Sequence, residues 1–540
     1  MSSGESGPPP RKEQVLIAGG GPVGLAAAVE LGRRGIGCLI VEPRAAVSTA
    51  RPRCKTVNVR TMEHLRRWGL ADRLRERAPL PASWSQDVVF CTSLTGHELS
   101  RFTGVLGLSP EGDRFPEIGQ QVPQYVLEEL LREAVDGLDA CDLLLGSRVV
   151  AVRQSDDLVD VTVEDAAGNR STVAADYVIG CDGPRSVVRE QIGASYSGGE
   201  ALRPNFGMVF ACPELWGHVK HGPAVQYWVV NPSAPALVGP IDREGTWWAI
   251  AFGVDRETGE RRAQSIIDGL AGRPVRADVL STDPWTARMQ IADRMRDRRV
   301  FLAGDAAHLN PPFGGHGLNT GIGDAVDLGW KLAAVLNGWG GPDLLDSYES
   351  ERRPIQERVI GEATANMRVL STELLADNLD DGDEAGADAR EAAGARIQDT
   401  KKAEFHSLDL VLDIRITASP VISYGRSTAD GVGSPGARLP HRFLEDGGSL
   451  YDLLGNDLTL LVLGGAAGER AIEDAAAALG VPLKTVRLPE VSGEGRARPR
   501  LLLARPDQIV AWAGDEVPDD AAALIDMVRG GAWARSPAPH

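Results

Sequence analysis

The chain runs to 540 residues, 43% hydrophobic and 24% charged, with a formal net charge of -18. A single hydrophobic core rarely grows that large, so two or three domains are expected. The negative balance argues against nucleic acid or an anionic membrane as the main partner, and no apolar run reaches the roughly 18 residues of a membrane span. Residues 1–12 are polar and proline-rich, without the apolar stretch of a signal peptide, and a cytoplasmic protein is expected. The cysteines, Cys38, Cys54, Cys91, Cys141, Cys181 and Cys212, show neither CxxC nor metal-type spacing. Free thiols and no metal site are expected.

Residues 14–18 (QVLIA) form a β-branched run suited to a buried parallel strand. Gly19-Gly20-Gly21-Pro22-Val23-Gly24 follows at once, with Pro22 where a first helical turn tolerates proline. Leu25, Ala28, Val29 and Gly32 recur at helical spacing, and Gly35 is placed to end that helix. Residues 38–41 read as a second strand ending at Glu42, which completes a strand–turn–helix–strand unit of the doubly wound kind. Residues 84–105 and about 195–290 carry aromatic, strand-like runs such as 225–230 (VQYWVV) and 247–252 (WWAIAF), with mixed helix and strand between them. This alternation predicts a sheet-rich module inserted into a nucleotide-binding domain. The α/β character returns over 299–365, with a strand at 300–303 and a long helix from about Asn319. Residues 377–396 are rich in Asp, Ala, Gly and Glu and predict a solvated linker or a loosely ordered helical face. Another α/β unit follows, with strands at 458–463, 500–503 and 508–512 and a helix near 471–479.

In the loop Gly19-x-Gly21-x-x-Gly24 the three glycines serve a tight turn, close approach of backbone to a diphosphate, and close helix-to-sheet packing. The helix that follows offers unpaired N–H groups to the diphosphate. Glu42 lies 18 residues beyond Gly24, where a carboxylate accepts from both ribose hydroxyls and repels a 2′-phosphate. Two later clusters separate a flavin from a nicotinamide dinucleotide. Cys181-Asp182-Gly183-Pro184-Arg185-Ser186-Val187-Val188-Arg189 follows an apolar strand, although Asp-Gly there is by itself a common turn. Gly304-Asp305-Ala306-Ala307-His308 closes the strand at 300–303. A carboxylate at the carboxyl end of a parallel strand accepts from the polyol chain of a flavin, or else caps a helix. Beyond it, Pro311-Pro312-Phe313-Gly314-Gly315-His316-Gly317-Leu318-Asn319 lets backbone pass close to a flat ring. A helix starting near Leu318 would stabilise negative charge on that ring.

These four ordered clusters resemble the class A flavoprotein monooxygenases, the para-hydroxybenzoate hydroxylase superfamily, and within it the aromatic polyketide and phenol hydroxylase branch. Arg60-Thr61-Met62-Glu63, Gln124 and Ser347-Tyr348-Glu349-x-Glu351-Arg352-Arg353-Pro354 are weaker matches. Pro435-Gly436-Ala437-Arg438-Leu439-Pro440-His441, Ser449-Leu450-Tyr451-Asp452 and Arg505-Pro506-Asp507-x-x-Val510-x-Trp512 look like the thioredoxin-like C-terminal domain of that branch. With no cysteine after Cys212, that domain is left a structural or oligomerisation role.

The resemblance implies an α/β protein with a Rossmann-like FAD-binding domain of the GR2 type over 13–85, 110–190 and 290–375. A substrate-binding sheet domain is expected over 86–109 and 191–289, an acidic linker over 376–400, and the thioredoxin-like domain over 401–540. It also implies FAD, NADPH or NADH as co-substrate, O2, and hydroxylation of a bulky phenolic or polyketide-type compound through a flavin C4a-hydroperoxide, with a homodimer as the assembly considered. Carried onto matching positions, Gly19, Gly21, Pro22, Val23 and Gly24 meet the diphosphate, and Glu42, with Pro43 and Arg44, the adenosine ribose. Arg53 and Gln124 meet the FAD linker, and Asp182, Gly183 and Arg185 the diphosphate region and nicotinamide access. Gly304 and Asp305 hold the ribityl chain, and Pro312, Gly315, Gly317, Leu318 and Asn319 the isoalloxazine. Trp228, Trp247, Trp248, Pro311 and Phe313 are candidate substrate-lining residues, although strand aromatics are more often core. His316 is the candidate base for a phenol, and His308 is expected to be structural. Rival readings are Baeyer–Villiger oxygen insertion on the same scaffold, a non-catalytic FAD-binding scaffold, and a flavin halogenase, whose WxWxIP pattern residues 245–250 lack.

Overall fold

Parallel strands lie in the order Val300–Leu302, Arg170–Gly180, Arg11–Ala18, Cys38–Glu42 and Cys141–Leu145. They belong to a computed structural model that describes residues 11–52, 55–199, 203–231, 235–311, 313–368, 378–424, 433–464, 468–489 and 499–531. Leu16, Ile17, Ile40, Val178, Ile179 and Phe301 are fully buried, as a sheet covered on both faces demands. The helices Pro22–Gly32, Gln124–Asp136 and His316–Leu336 pack together over it. Register decides where the loops emerge. Ala18 pairs with both Val41 and Gly180, and Gly180 pairs with Leu302. The loops after these strands therefore leave from one carboxyl edge, where α/β sheets bind ligands.

A seven-stranded sheet is built from two insertions: Val88–Cys91 and Glu98–Phe102, then strands between Pro204 and Thr286. One face packs Phe206, Phe210, Tyr227 and Trp247 against the helix Arg256–Ala271. The other packs Phe90, Trp228 and Trp248 against the helix Glu384–Phe405. That helix corrects the expected acidic linker at 376–400. Ala393, Ile397 and Phe405 lie on one side of it at helical spacing and are buried in the sheet's aromatic cluster, while its acidic residues face outward over most of its length. Residues 401–405 likewise belong to this helix, not to the C-terminal unit.

That unit is thioredoxin-like: a four-stranded sheet in the order Leu483–Leu488, Leu458–Leu463, Leu501–Ala504, Val510–Gly514, with helices Glu469–Ala478 and Ala521–Val528. Its last strand starts two residues later than expected because Gln508 adopts a left-handed turn at φ 63. Trp330, Trp339 and Leu344 of the first domain enter its core. Buried charges complete the junction. Arg505 donates to Glu351 at 2.8 Å and to Asp327 at 3.0 Å, and Lys331 donates to the same two carboxylates at 2.8 and 2.9 Å. Nearby, Glu63 accepts from Arg60 at 2.6 Å and from Arg438. Among the described residues no helix is long and apolar enough to cross a membrane, and no His/Cys/Asp/Glu group has metal-site spacing.

Candidate functional site

At the carboxyl edge, the glycine loop is shaped by its neighbours. Gly19 sits at φ +104, and a Cβ there would lie 2.3 Å from the Cys181 carbonyl oxygen. A Cβ on Gly24 would lie 2.0 Å from the Gly19 carbonyl, so helix and loop approach as closely as backbones can. Gly21 differs: it is the N-cap of Pro22–Gly32, no side chain caps that helix, and its Cβ would meet nothing within 4 Å. The loop is thus tight toward the sheet and open on the side where the first helical N–H groups point. Glu42 is buried at 3% exposure, accepting from Gly20 N–H at 2.8 Å through Oε2 and from Arg44 Nε at 2.6 Å through Oε1. Arg44 reaches on to Glu128 at 2.7 Å on the helix that Gln124 begins. Pro43 is exposed beside it. Gln124 is half-buried, and its N–H donates to Pro52 at 3.0 Å.

Asp182 follows the next strand. Its Oδ2 accepts from Val188 N–H at 3.2 Å, while Oδ1 is buried without a partner. Burial raises its pKa, outweighing the hydrogen bonds that the carboxylate accepts. Gly183 takes φ +80 in the turn, and Arg185 is exposed. Asp305 is exposed between buried Gly304 and Ala306. Arg189, which ends the 181–189 cluster, and Tyr196, which lies in no motif, clamp these two loops together. Arg189 stacks 3.8 Å over the Tyr196 ring and donates to the carbonyls of Ala306 and Pro184, each at 3.3 Å, and the Tyr196 hydroxyl donates to the Asp305 carbonyl. Beneath them lies fully buried Asp324, which accepts from Gly304 N–H at 3.1 Å, His308 Nε2 at 2.7 Å and Arg352 Nε at 2.8 Å. Burial pushes the Asp324 pKa up, but Arg352 and His308 outweigh it and bring it down to about 2. His308 is therefore a fully buried structural partner.

Gly314 and Gly315 take φ +80 and +68 in succession and turn the chain into His316–Leu336, two residues ahead of the expected helix start. Asn319 fixes this turn: its side chain accepts from Asn58 N–H at 3.0 Å and Thr61 Oγ1 at 2.8 Å, and donates to Gly315 O at 2.7 Å. The backbone at Gly317 is open, the first atom met by an added Cβ being Asn310 Cβ at 3.8 Å, and Leu318 is half-buried. Pro311 is buried. Arg53, Pro312 and the Phe313 side chain lie outside the described residues. His316 is 3% exposed, and burial lowers its pKa to about 4. It lines a ~60 Å³ cavity with Arg60, His64 and Arg352, toward the C-terminal unit. A group so weakly basic is neutral at pH 7 and a poor proton acceptor. Its pH signature follows from linkage. Below about pH 6.5 the unfolded imidazole binds a proton that the folded one refuses until about pH 4. Stability from His316 is thus present above pH 6.5 and lost as pH falls toward 4. Urea titrations at pH 7 and 5 should show a smaller acid loss in His316→Gln than in the parent, with buried His64 retaining its own share of the same sign.

The inserted sheet corrects one substrate assignment. Trp247 is fully buried on the face under Arg256–Ala271, its ring 4.4 Å from that of Trp216. Strand alternation puts its neighbour Trp248 on the other face with Trp228, and Lys55 Nζ lies 3.8 Å over the Trp248 ring. Trp228 stacks on Phe90 at 5.5 Å.

A family model for the FAD binding domain matches residues 12–363, and one for the C-terminal part of aromatic-ring hydroxylases matches 433–532. The chain belongs to the FAD-dependent aromatic-ring monooxygenases. Among relatives of this family, the tetracenomycin B2 monooxygenase-dioxygenase of Streptomyces olivaceus is 32% identical over 97% of this chain and 99% of its own. The 2,4-dichlorophenol 6-monooxygenase of Delftia acidovorans is 30% identical over 92% and 94%. The rebeccamycin biosynthetic enzyme RebC, solved with reduced flavin, superposes with a TM-score of 0.88 at 33% identity over 97% of this chain and all of that one. The chain is accordingly an FAD-dependent monooxygenase of the aromatic and polyketide hydroxylase type, and its open glycine loop and orphaned Asp182 oxygen fit that cofactor.

Proposed function

We propose that this monooxygenase uses NADPH or NADH and O2 to hydroxylate a bulky aromatic compound, phenolic or polyketide-type. The observation that carries the reading is the gathering at one sheet edge of the open face at Gly21, Glu42, the orphaned Asp182 Oδ1 and exposed Asp305, beside an aromatic sheet whose buried Trp248 lies under Lys55. Bound FAD would supply the redox and oxygen-transfer chemistry, with the nicotinamide as reductant and O2 as the source of the oxygen atom. The chain's own residues do the rest. The first N–H groups of Pro22–Gly32, with Gly19, Gly21, Pro22, Val23 and Gly24, hold the diphosphate. Glu42 keeps a lone pair on Oε2 for the ribose hydroxyls, beside Pro43 and Arg44. Asp182, with Gly183 and Arg185, accepts a donor near the diphosphate, and Asp305 after Gly304 accepts from the ribityl hydroxyls. The N-terminus of His316–Leu336, with the backbone of Gly315, Gly317, Leu318 and Asn319, stabilises negative charge on the ring. Arg53, Gln124 and Pro312 complete the cofactor contacts by resemblance. The aromatic sheet and its covering helix exclude water from the reacting centre.

A panel of polycyclic phenols, scored by stimulated NADPH or NADH oxidation and by ¹⁸O from labelled O2 in the product, tests this. A labelled hydroxyl supports it. A ring-expanded or ester product would assign Baeyer–Villiger insertion instead, and no stimulation by any compound would sink the reading. Trp248→Ala, at a side chain almost as buried as Trp247, is expected to cost stability as a core deletion and, with FAD retained, to raise KM for the accepted compound about tenfold as well. Trp247→Ala should cost about 3–5 kcal/mol of stability as a core deletion.

A further inference from the structure

Cys38 and Cys141 open neighbouring parallel strands and are register partners in the nucleotide-binding sheet. Their sulfurs lie 3.2 Å apart and share a thiol hydrogen bond. Adjacent strands sit about 4.8 Å apart, within the roughly 4.4–6.8 Å Cα separation that a disulfide spans. The surroundings leave room for the sulfurs: a Cβ on Gly32 would come within 2.5 Å of Cys141 Sγ, so the helix Pro22–Gly32 accommodates that thiol only with glycine there. Cys38 is buried, whereas Cys141 is half-buried on an edge strand whose Leu144 and Leu145 are each 38% exposed. Of the two residues Cys141 is the less buried, and so the one a small oxidant would meet first. The hydrogen bond from Cys38 holds the Cys141 thiol below its ordinary pKa, which favours the nucleophilic thiolate at the accessible position.

We propose that Cys38 and Cys141 form a peroxide-reactive dithiol that closes to a disulfide between the strand ending at Glu42 and the sheet edge. The Cys141 thiolate attacks one oxygen of hydrogen peroxide, breaks the O–O bond and releases hydroxide, leaving a sulfenic acid. The Cys38 sulfur then attacks the Cys141 sulfur and displaces its oxygen. Two thiols are oxidised, one peroxide is reduced to two waters, and the two thiol protons end in those waters. Cys38, buried directly behind Cys141, is the resolving partner.

The test treats the FAD-loaded full chain with hydrogen peroxide in the absence of any nicotinamide, so its outcome is independent of the reaction proposed above. Thiols titrated in denaturant should fall by two from the six in the sequence. Non-reducing peptide mapping should join the peptides carrying Cys38 and Cys141, and dithiothreitol should restore the full count. Cys38→Ser should leave a dimedone-trappable sulfenic acid at Cys141, and Cys141→Ser should lose no thiol. An unchanged thiol count, a link between other cysteines, or direct over-oxidation of Cys141 in the parent protein would overturn the proposal. Because mapping of the parent alone decides between these results, a misfolded serine variant does not protect the idea.

Discussion

Replacing Arg505 by methionine is expected to destabilise the folded chain by about 3–5 kcal/mol, the usual cost of stranding a buried ion-pair partner. Methionine keeps most of the side-chain volume, so lost packing contributes little. What changes is the charge balance: Glu351, Asp327 and Asp507, all buried, would face Lys331 without the guanidinium that donates to each of them. The measurement is the urea midpoint of the parent, Arg505→Met, and a variant that also carries Glu351→Gln and Asp327→Asn. Neutralising the carboxylates together with the arginine should recover much of the loss, because a buried ion cluster is costly to break and much less costly to remove whole. A loss below about 1 kcal/mol for Arg505→Met, a value ordinary for surface pairs, would mean that water reaches the cluster and that the junction does not depend on it.

The second large effect concerns two glycines of one loop. Gly19→Ala should produce chain without bound flavin, because the added methyl would lie 2.3 Å from a backbone carbonyl and occupy a left-handed conformation. Gly21→Ala should leave the thermal midpoint of the flavin-free protein unchanged, since its methyl meets no protein atom within 4 Å. Its FAD affinity should nevertheless fall at least about tenfold, the approach of the diphosphate being the one thing the methyl obstructs. Differential scanning of the apo-proteins and flavin titration by fluorescence quenching separate the two. Equal FAD affinity in Gly21→Ala and the parent would place the diphosphate elsewhere.

The parts of the molecule legible in the sequence are those whose physics is local. The glycine loop, its flanking strand and helix, and Glu42 are contained within about one βαβ unit, and each carries its cue in neighbouring residues. Asp182 and Asp305 are legible for a similar reason, as polar residues closing apolar strands. What escapes depends on distance along the chain. Arg60 and Glu63 are visible only as a short motif, yet their partners are Gln508 and Arg438, 448 and 375 residues away. Complementary charge in two motifs, Glu63 in RTME and Arg438 in PGARLPH, is the available signal. Trp247 and Trp248 escape for another reason: strand alternation states that neighbours face opposite ways but not which way is toward a ligand. The helix Glu384–Phe405 is masked by composition, its few buried apolar residues Ala393, Ile397 and Phe405 being outnumbered by solvated ones.

The 21-residue helix His316–Leu336 begins at the Gly314–Gly315 turn and ends with Trp330 and Ala334 in the core of the C-terminal unit. As a rod of about 32 Å, it has one end in each module and no joint between them. Shuffling this C-terminal unit between chains would therefore not resemble exchanging beads on a string. A donor that seats Trp330 differently would tilt the rod and move the turn at its far end. The two modules are inherited as one machine part, and a chimera must carry the helix and its socket together.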